Sequence, residues 1–376
     1  MASSKINDAQ AVRKWAGALF SSAMVHSQWA SKLMAPTKVV GGAGEMANAP
    51  IVVINDLEQG AGDTVSFDIF AQLTGRGTYG DDVMEGNEED LTAYTDEVKI
   101  NQVRHAVTPG GKMNQKRTVN QLRSIAKIKL EQWHAGHFDD VITTTLGGGR
   151  GDGKDLYIPR NAISPIPGTM PYTKYDEGSI VYGGSATSKA SMTTADTMTL
   201  DVIDELILKS KTGGKADGAF RMEPLKDGAD DYYILALSPE QIMDLRHDTG
   251  VGGWLDIQKA AASAVGYSSD IFKGSAGRYN NTHIKEVNSV VQYNDFGAGQ
   301  NVKVNTGVFM GRQAAVVAFG SASDKAMRAN WVETEKDYKN QMGVAAGMVY
   351  GAKLPEFDGK VLNSAVVYTA VSKSRE

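Results

Sequence analysis

The sequence contains no cysteine, which excludes disulfides, thiolate metal sites and cysteine nucleophiles, and fits a protein made in a reducing cytoplasm. It also lacks any uninterrupted apolar run of about 18 residues, the length a membrane-spanning helix needs. Met1 to Asn7 carries one lysine and no apolar core, so a secretory leader is not expected either. Only 6 histidines are present, too few to suggest a zinc centre. A basic excess is missing as well. With 39 Lys and Arg against 44 Asp and Glu, the net charge is −5, without the electrostatic footprint of a nucleic-acid reader. What is abundant is glycine, 41 residues of 376, alongside an ordinary 41% hydrophobic content. This composition predicts a globular, loop-rich chain, long enough for two or three subdomains or one elaborated domain.

Along the chain, Val12, Trp15, Ala16, Leu19, Phe20, Ala23, Trp29 and Leu33 recur at helical spacing and predict a helix over 9–34, ended by Pro36. Pro50 to Leu57 reads as a strand. Thr64–Phe70 and Glu97–Val103 alternate with period 2 and flank a glycine-rich, acidic stretch, which predicts a long hairpin with a polar tip. The strongest helix is expected from Met113 to His134. Its stripe of Val119, Leu122, Ala126, Leu130 and Trp133 faces a core, and Lys116, Asn120, Arg123 and Lys127 form an adjacent, largely basic stripe. Residues 157–191, with prolines at 159, 165, 167 and 171, read as an insertion. A helix over Met198–Lys211 and a strand over Tyr232–Leu237 follow. Ser238-Pro-Glu-Gln241 then supplies an N-cap serine, a proline at the first helical position and a capping-box glutamine. Ala314–Phe319 reads as a buried strand. Gln341–Tyr350 and Ser364–Val371 suggest a terminal antiparallel pair turned at Phe357-Asp-Gly359.

Several motifs invite chemistry and fall short of it. Gly148 to Asp155 (GGRGDGKD) matches a phosphate-loop spacing but lacks the final Ser or Thr, and the segment before it is helical rather than a strand. Val39 to Gly44 lacks the third-glycine spacing and the following helix of a dinucleotide loop. Arg150-Gly-Asp152 is a three-residue match that loop composition explains. His134 and His137 could share a helix face, yet no carboxylate pattern completes a metal site, so a surface or helix-end place is expected.

The order of parts is an N-terminal helical arm, a two-stranded loop, one long helix, an α/β unit with strand-SPEQ-helix, and closing strands. In this it resembles the major capsid protein of tailed bacteriophages, the Johnson-type capsid fold. The segments PIVVINDLEQGAGDTVSFDIFAQLTGRGTYGDDVMEGNEEDL (50–91), LALSPEQIMDLRHD (235–248) and WVETEKDYKNQMGVAAGMVYGAKLPEFDG (331–359) are similar to the subfamily of short-tailed coliphages with large virion RNA polymerases. None is a catalytic fingerprint. The resemblance implies an α+β fold with an N-arm at 1–49 and an extended loop with its lead-in strand at 50–110. The spine helix of the peripheral domain plus the insertion would occupy 111–197, the axial domain 198–320, and return strands of the peripheral domain 321–376. It further implies a non-enzymatic virion subunit without cofactors or metals, made in the host cytoplasm. Its partners would be copies of itself in hexamers and pentamers, a separate scaffolding protein, a portal and a decoration protein, around DNA held without sequence recognition and away from membranes. Two alternatives are a bacterial nanocompartment shell and a nucleotide-binding enzyme using 148–155.

Inter-subunit contacts are expected from charge. The acidic tip of the hairpin, Asp81, Asp82, Glu85, Glu88, Glu89 and Asp90, would dock on a neighbour's basic helix stripe, Lys116, Arg123 and Lys127, with Lys112 and Arg117 nearby. The arm's Trp15, Phe20 and Trp29 would pack on an adjacent subunit or, alternatively, on their own core.

Overall fold

The computed structural model describes residues 8–36, 38–40, 43–45, 48–55, 62–70, 77–80, 83–86, 88–90, 93–108, 110–117, 122–153, 156–213, 221–227, 230–247, 277–321, 328–336, 338, 340 and 341–371. The chain opens with α1 (Asp8–His26), α2 (Ala30–Leu33) and the short strands β1 (Met34–Pro36), β2 (Lys38–Val40) and β3 (Ala43–Glu45). Next come β4 (Ile51–Ile54), β5 (Thr64–Phe70), β6 (Ala93–Lys99), β7 (Asn101–Val107), α3 (Lys112–Arg117) and α4 (Leu122–Leu146). The middle of the chain holds β8 (Ile180–Tyr182), α5 (Leu200–Thr212), β9 (Leu225–Asp227), β10 (Asp230–Leu237) and α6 (Pro239–His247). These are followed by β11 (Gly277–Tyr279), β12 (Thr282–Glu286), β13 (Gln292–Phe296), β14 (Val302–Met310) and β15 (Ala315–Phe319). Last are β16 (Ala329–Lys336), β17 (Gln341–Lys353), β18 (Glu356–Phe357), β19 (Lys360–Val361) and β20 (Ser364–Ala370).

Two sheets organise these elements. One runs β1-β4-β15-β17-β16, with β7 on the opposite edge of β17. The other runs β11-β12-β10-β14-β20-β8, with β13 on β14 and β9 on β10. The second sheet is buried on both faces because its central strands are apolar at successive positions. Ile234, Ala236, Val308 and Met310 face the same core as α1, α4 and the first sheet. Tyr233, Leu235, Leu237 and Phe309 face a second core under α5 and α6.

The N-terminal helix breaks where a single helix was expected to continue, at Ser27–Trp29 between α1 and α2. The carboxylate of Asp139 on α4 accepts the freed Gln28 N–H at 2.9 Å and the Ser27 hydroxyl, so the break is a fastening point. The helix expected over Met113–His134 is described as α3 and α4, with 118–121 outside the described residues, and α4 runs past Gly136 to Leu146, well beyond the expected end at His134. One glycine costs a helix about 1 kcal/mol, and burial of Phe138, Val141, Ile142 and Leu146 outweighs it. That extension corrects the placing of His134 and His137 at a surface or helix end: both are buried.

The closing strands also differ from expectation. β17 is bonded on one edge by β7 and on the other by β15 and β16, so no edge remains for β20, which joins β14 and β8 instead. The turn at Phe357-Asp-Gly359 exists, but it closes the small β18–β19 hairpin, with Asp358 at φ 50° and Gly359 at φ 72°. β15 lies in the first sheet beside β4 although its position before residue 320 grouped it with the axial unit. The stretch 157–191, read as an insertion, is tied into the body: β8 joins the second sheet, and Ile158 and Ile166 enter the main core.

Candidate assembly surfaces

Strands β5 and β6 pair antiparallel from Thr64 opposite Lys99 to Phe70 opposite Ala93, forming a ribbon of their own. Val65, Val98 and Ile100 turn inward at its base and, with Phe67, meet Ile54, Val316, Ala318 and Val349. Farther out, among the described residues, Tyr94 meets Phe357 at 5.9 Å and remains exposed. Glu85, Glu88, Glu89 and Asp90 are exposed, as expected of an acidic tip; Asp81 and Asp82 lie outside the described residues. The tip is not uniformly polar, however. Tyr79 is 78% exposed, Val83 68% and Met84 65%, an apolar component that alternation analysis missed because Tyr79 stands alone and Val83-Met84 as one pair among glycines and acids.

The basic stripe divides. Lys112, Lys116 and Arg117 are exposed on α3, beside exposed Met113 and Tyr338. The two segments are joined where the Lys112 N–H meets the Asn340 carbonyl at 3.1 Å. Lys127 is instead half-buried on α4 and paired with Glu131 at 3.5 Å, so its charge is largely answered within the chain. The Arg123 side chain lies outside the described residues.

The arm's aromatic residues resolve toward the chain's own core. Trp29 is 1% exposed and donates its indole N–H to Thr143 at 2.9 Å. Phe20 is half-buried, edge-on to Phe319 at 5.6 Å and below the Arg328 guanidinium at 5.2 Å. Trp29 is thus enclosed by its own chain, the alternative expectation, and Phe20 packs there in part; the Trp15 side chain lies outside the described residues. They pack inward because α1 crosses α4 and β16, where the core would otherwise be open.

Helix α4 is the hub to which separate segments are tied. Asp139 holds the arm; Asp140 accepts the Tyr157 N–H at 2.7 Å and the Ser289 hydroxyl at 2.8 Å. Burial raises the pKa of both carboxyls, that of Asp140 to about 6. On the same helix, burial pushes His134 and His137 down to about 4. His134 donates Nε2–H to the Ala346 carbonyl at 3.3 Å, and His137 shares a 2.7 Å hydrogen bond with the Tyr350 hydroxyl. Trp133 lies between His105 and His137, with ring centroids 4.3 and 5.1 Å away. These imidazoles are packing elements, and no group of metal-ligating side chains forms among the described residues.

The glycine-rich loop also proves structural. Arg150 is buried and donates to the carbonyls of Ile158 at 2.8 Å and Gly153 at 2.7 Å, closing the loop on itself. Its guanidinium therefore offers neither an adhesion motif nor a phosphate cradle. Lys154 and Asp155 lie outside the described residues.

A projecting ribbon, a long central helix that fastens the N-terminal arm, and two sheets sharing one core define the class of tailed-phage capsid folds, whose subunits build shells. The family described as phage capsid protein matches residues 4–363. The capsid of Ralstonia phage GP4 is 36% identical and superposes with a TM-score of 0.79, covering 93% of this chain and 92% of that one. The major capsid protein of Pseudomonas phage KPP25 is 27% identical over 340 residues, 84% of each chain. The capsid of cyanophage Pam1, 19% identical, shares the fold with a TM-score of 0.68 over 87% of this chain and 90% of that one. The chain belongs to the phage capsid protein family. It is a structural protein of the virion that assembles with copies of itself, not an enzyme.

Proposed function

We propose that this chain is the head-shell subunit of a tailed phage, packing as hexamers and pentamers into an icosahedral shell around double-stranded DNA that it does not read by sequence. The observation that carries this is the likeness to the Ralstonia phage GP4 capsid over 93% of the chain. A net charge of −5 suits a wall that releases rather than grips the packaged nucleic acid. The ribbon tip rests on α3 of a neighbouring copy. Glu85, Glu88, Glu89 and Asp90 then approach Lys112, Lys116 and Arg117, while Tyr79, Val83 and Met84 cover Met113 and Tyr338. Exposed charge pairs contribute only about 0–1 kcal/mol each, whereas burying a large apolar side chain contributes roughly 1.5–3 kcal/mol. Charge sets the register, and apolar burial and repetition supply the holding. Synthesis in the host cytoplasm, a separate scaffolding protein and a portal complete the reading. Negative-stain electron microscopy of the purified chain, alone and with the head proteins of its source, tests it. Uniform hollow shells, or capsomers converting to them, are expected; a chain that stays monomeric under every condition overturns it.

A further inference from the structure

The inward face of β6 carries an anomaly. Alternation along Tyr94, Asp96, Val98 and Ile100 predicts four apolar positions, yet the second is a carboxylate with 6% exposure. Asp96 is the last buried side chain described before the ribbon leaves the body, since Tyr94 is already exposed. Its oxygens accept the Glu97 N–H at 2.8 Å and the Glu356 N–H at 3.1 Å, and the ammonium of Lys353 at the end of β17. Among the described ion pairs this one is the most buried, with side chains 11% and 6% exposed; the Lys99–Asp63 pair nearby is 40% and 67% exposed. Three further contacts converge there. Glu356 stands 4.0 Å from Lys353. Tyr94 meets Phe357 of the β18–β19 hairpin at 5.9 Å. The ribbon crosses β17 so closely that a Cβ at Gly351 would overlap the Lys99 carbonyl.

We propose that Asp96 and Lys353, backed by the β18–β19 hairpin, are positioning residues that fix the angle at which the ribbon leaves the body, and so decide whether copies of the chain close into uniform shells. The physical case rests on what such a pair does well. Two apolar residues in the same place hold a ribbon by area alone and tolerate many tilts, because dispersion and burial have little directionality. A buried charge pair tolerates one geometry, since any tilt strands an ion away from water. Replacing both members with apolar residues of similar volume is often neutral for the ion pair itself, and the remaining loss comes from the Glu97 and Glu356 N–H groups, which lose their acceptor; orientation and folding can still be read separately.

The inference rests on the shell-subunit reading and is tested where the parent chain forms uniform particles. The double variant Asp96→Leu with Lys353→Met is compared with the parent and with Lys353→Arg, using thermal unfolding of the unassembled chain and particle diameters by electron microscopy. The double variant is expected to fold, with a midpoint lowered by the loss of the acceptor for the Glu97 and Glu356 N–H groups, and to lose uniform shells in favour of open or irregular assemblies, while Lys353→Arg, which keeps the charge, assembles as the parent does. Uniform shells from the double variant overturn the inference. So does a double variant that no longer folds, because the pair is then a stability element. A parent that forms no shells at all refutes the shell-subunit reading instead.

Discussion

Asp139→Ala should release the N-terminal arm without unfolding the rest of the chain. The side chain accepts hydrogen bonds from the hydroxyl of buried Ser27 and from the backbone N–H of Gln28 and of buried Trp29. Alanine leaves these donors facing a void, at about 1–3 kcal/mol for each buried one. Because burial raises the Asp139 pKa, the folded chain already bears a desolvation cost for this carboxylate, and its removal returns part of that. With two fully buried donors, the net loss comes to roughly 3 kcal/mol. Expressed as local opening, that is about a hundredfold loss of hydrogen-exchange protection over residues 8–33. Amides of α5, which packs in the second core with no residue of the arm, should keep parental protection. Asp139→Asn retains one acceptor oxygen and should fall between the two. Parental protection of the arm in Asp139→Ala would refute the reasoning, since the break at Ser27–Trp29 would then need no acceptor.

Stability should fall as pH drops from about 6.5 to 4. His134 and His137 have folded values near 4, below their ordinary 6.5, so their contribution is present above that range and is lost on acidification, at roughly 3 kcal/mol each. Asp140, raised from 3.8 to about 6, opposes this by gaining about 3 kcal/mol over nearly the same range. Asp140→Asn should therefore steepen acid destabilisation measured by urea titration; an unchanged slope would count against it. Gln241→Ala removes the capping-box acceptor of the Ser238 N–H and a buried donor to Thr369 and Asn305, and should lower stability by about 2–4 kcal/mol in a denaturant titration. Reversing charge with Lys116→Glu and Arg117→Glu should cut shell yield in an assembly assay while leaving the unfolding midpoint of the unassembled chain unchanged, because both side chains are exposed. Gly351→Ala should reduce soluble folded protein in an expression assay, since the overlapping atom is a backbone carbonyl that cannot swing aside.

Local rules in the sequence made the first ribbon strand, the capping box at Ser238–Gln241 and the Leu122–Trp133 part of the principal helix legible, because period-2 alternation, a serine-proline start and an apolar stripe need no distant partner; the second ribbon strand was placed at Glu97–Val103, across the boundary where β6 leaves β5 and β7 joins β17. The errors fall where a distant partner decides. Gly136 marks a helix end only until Phe138 and Ile142 have a core to enter, and that core is made by β17 and α1. Ser27–Trp29 has no breaker residue; its break follows from a carboxylate 110 positions away or more. The pairing of β17 and β20 was misread because antiparallel neighbours in sequence are the common case, while here both edges of β17 are already taken. Of the assembly surfaces, charge signs were legible, but not which charges are answered internally. Lys127 and Glu131 stand one helical turn apart, which could have been seen; Asp96 and Lys353 stand 257 positions apart, which could not.

The seven-residue strands of the ribbon make it a lever. Beyond Asp96 three residues of β6 remain, about 10 Å at roughly 3.4 Å per residue, so a tilt of about 10° there moves the end of the strand by about 2 Å. A displacement of that size is enough to turn a hydrogen bond into a gap. Small slack at the root is thus magnified at the tip, and a shell that closes by repeating one contact many times inherits its tolerance from the stiffness of a few residues at the fulcrum.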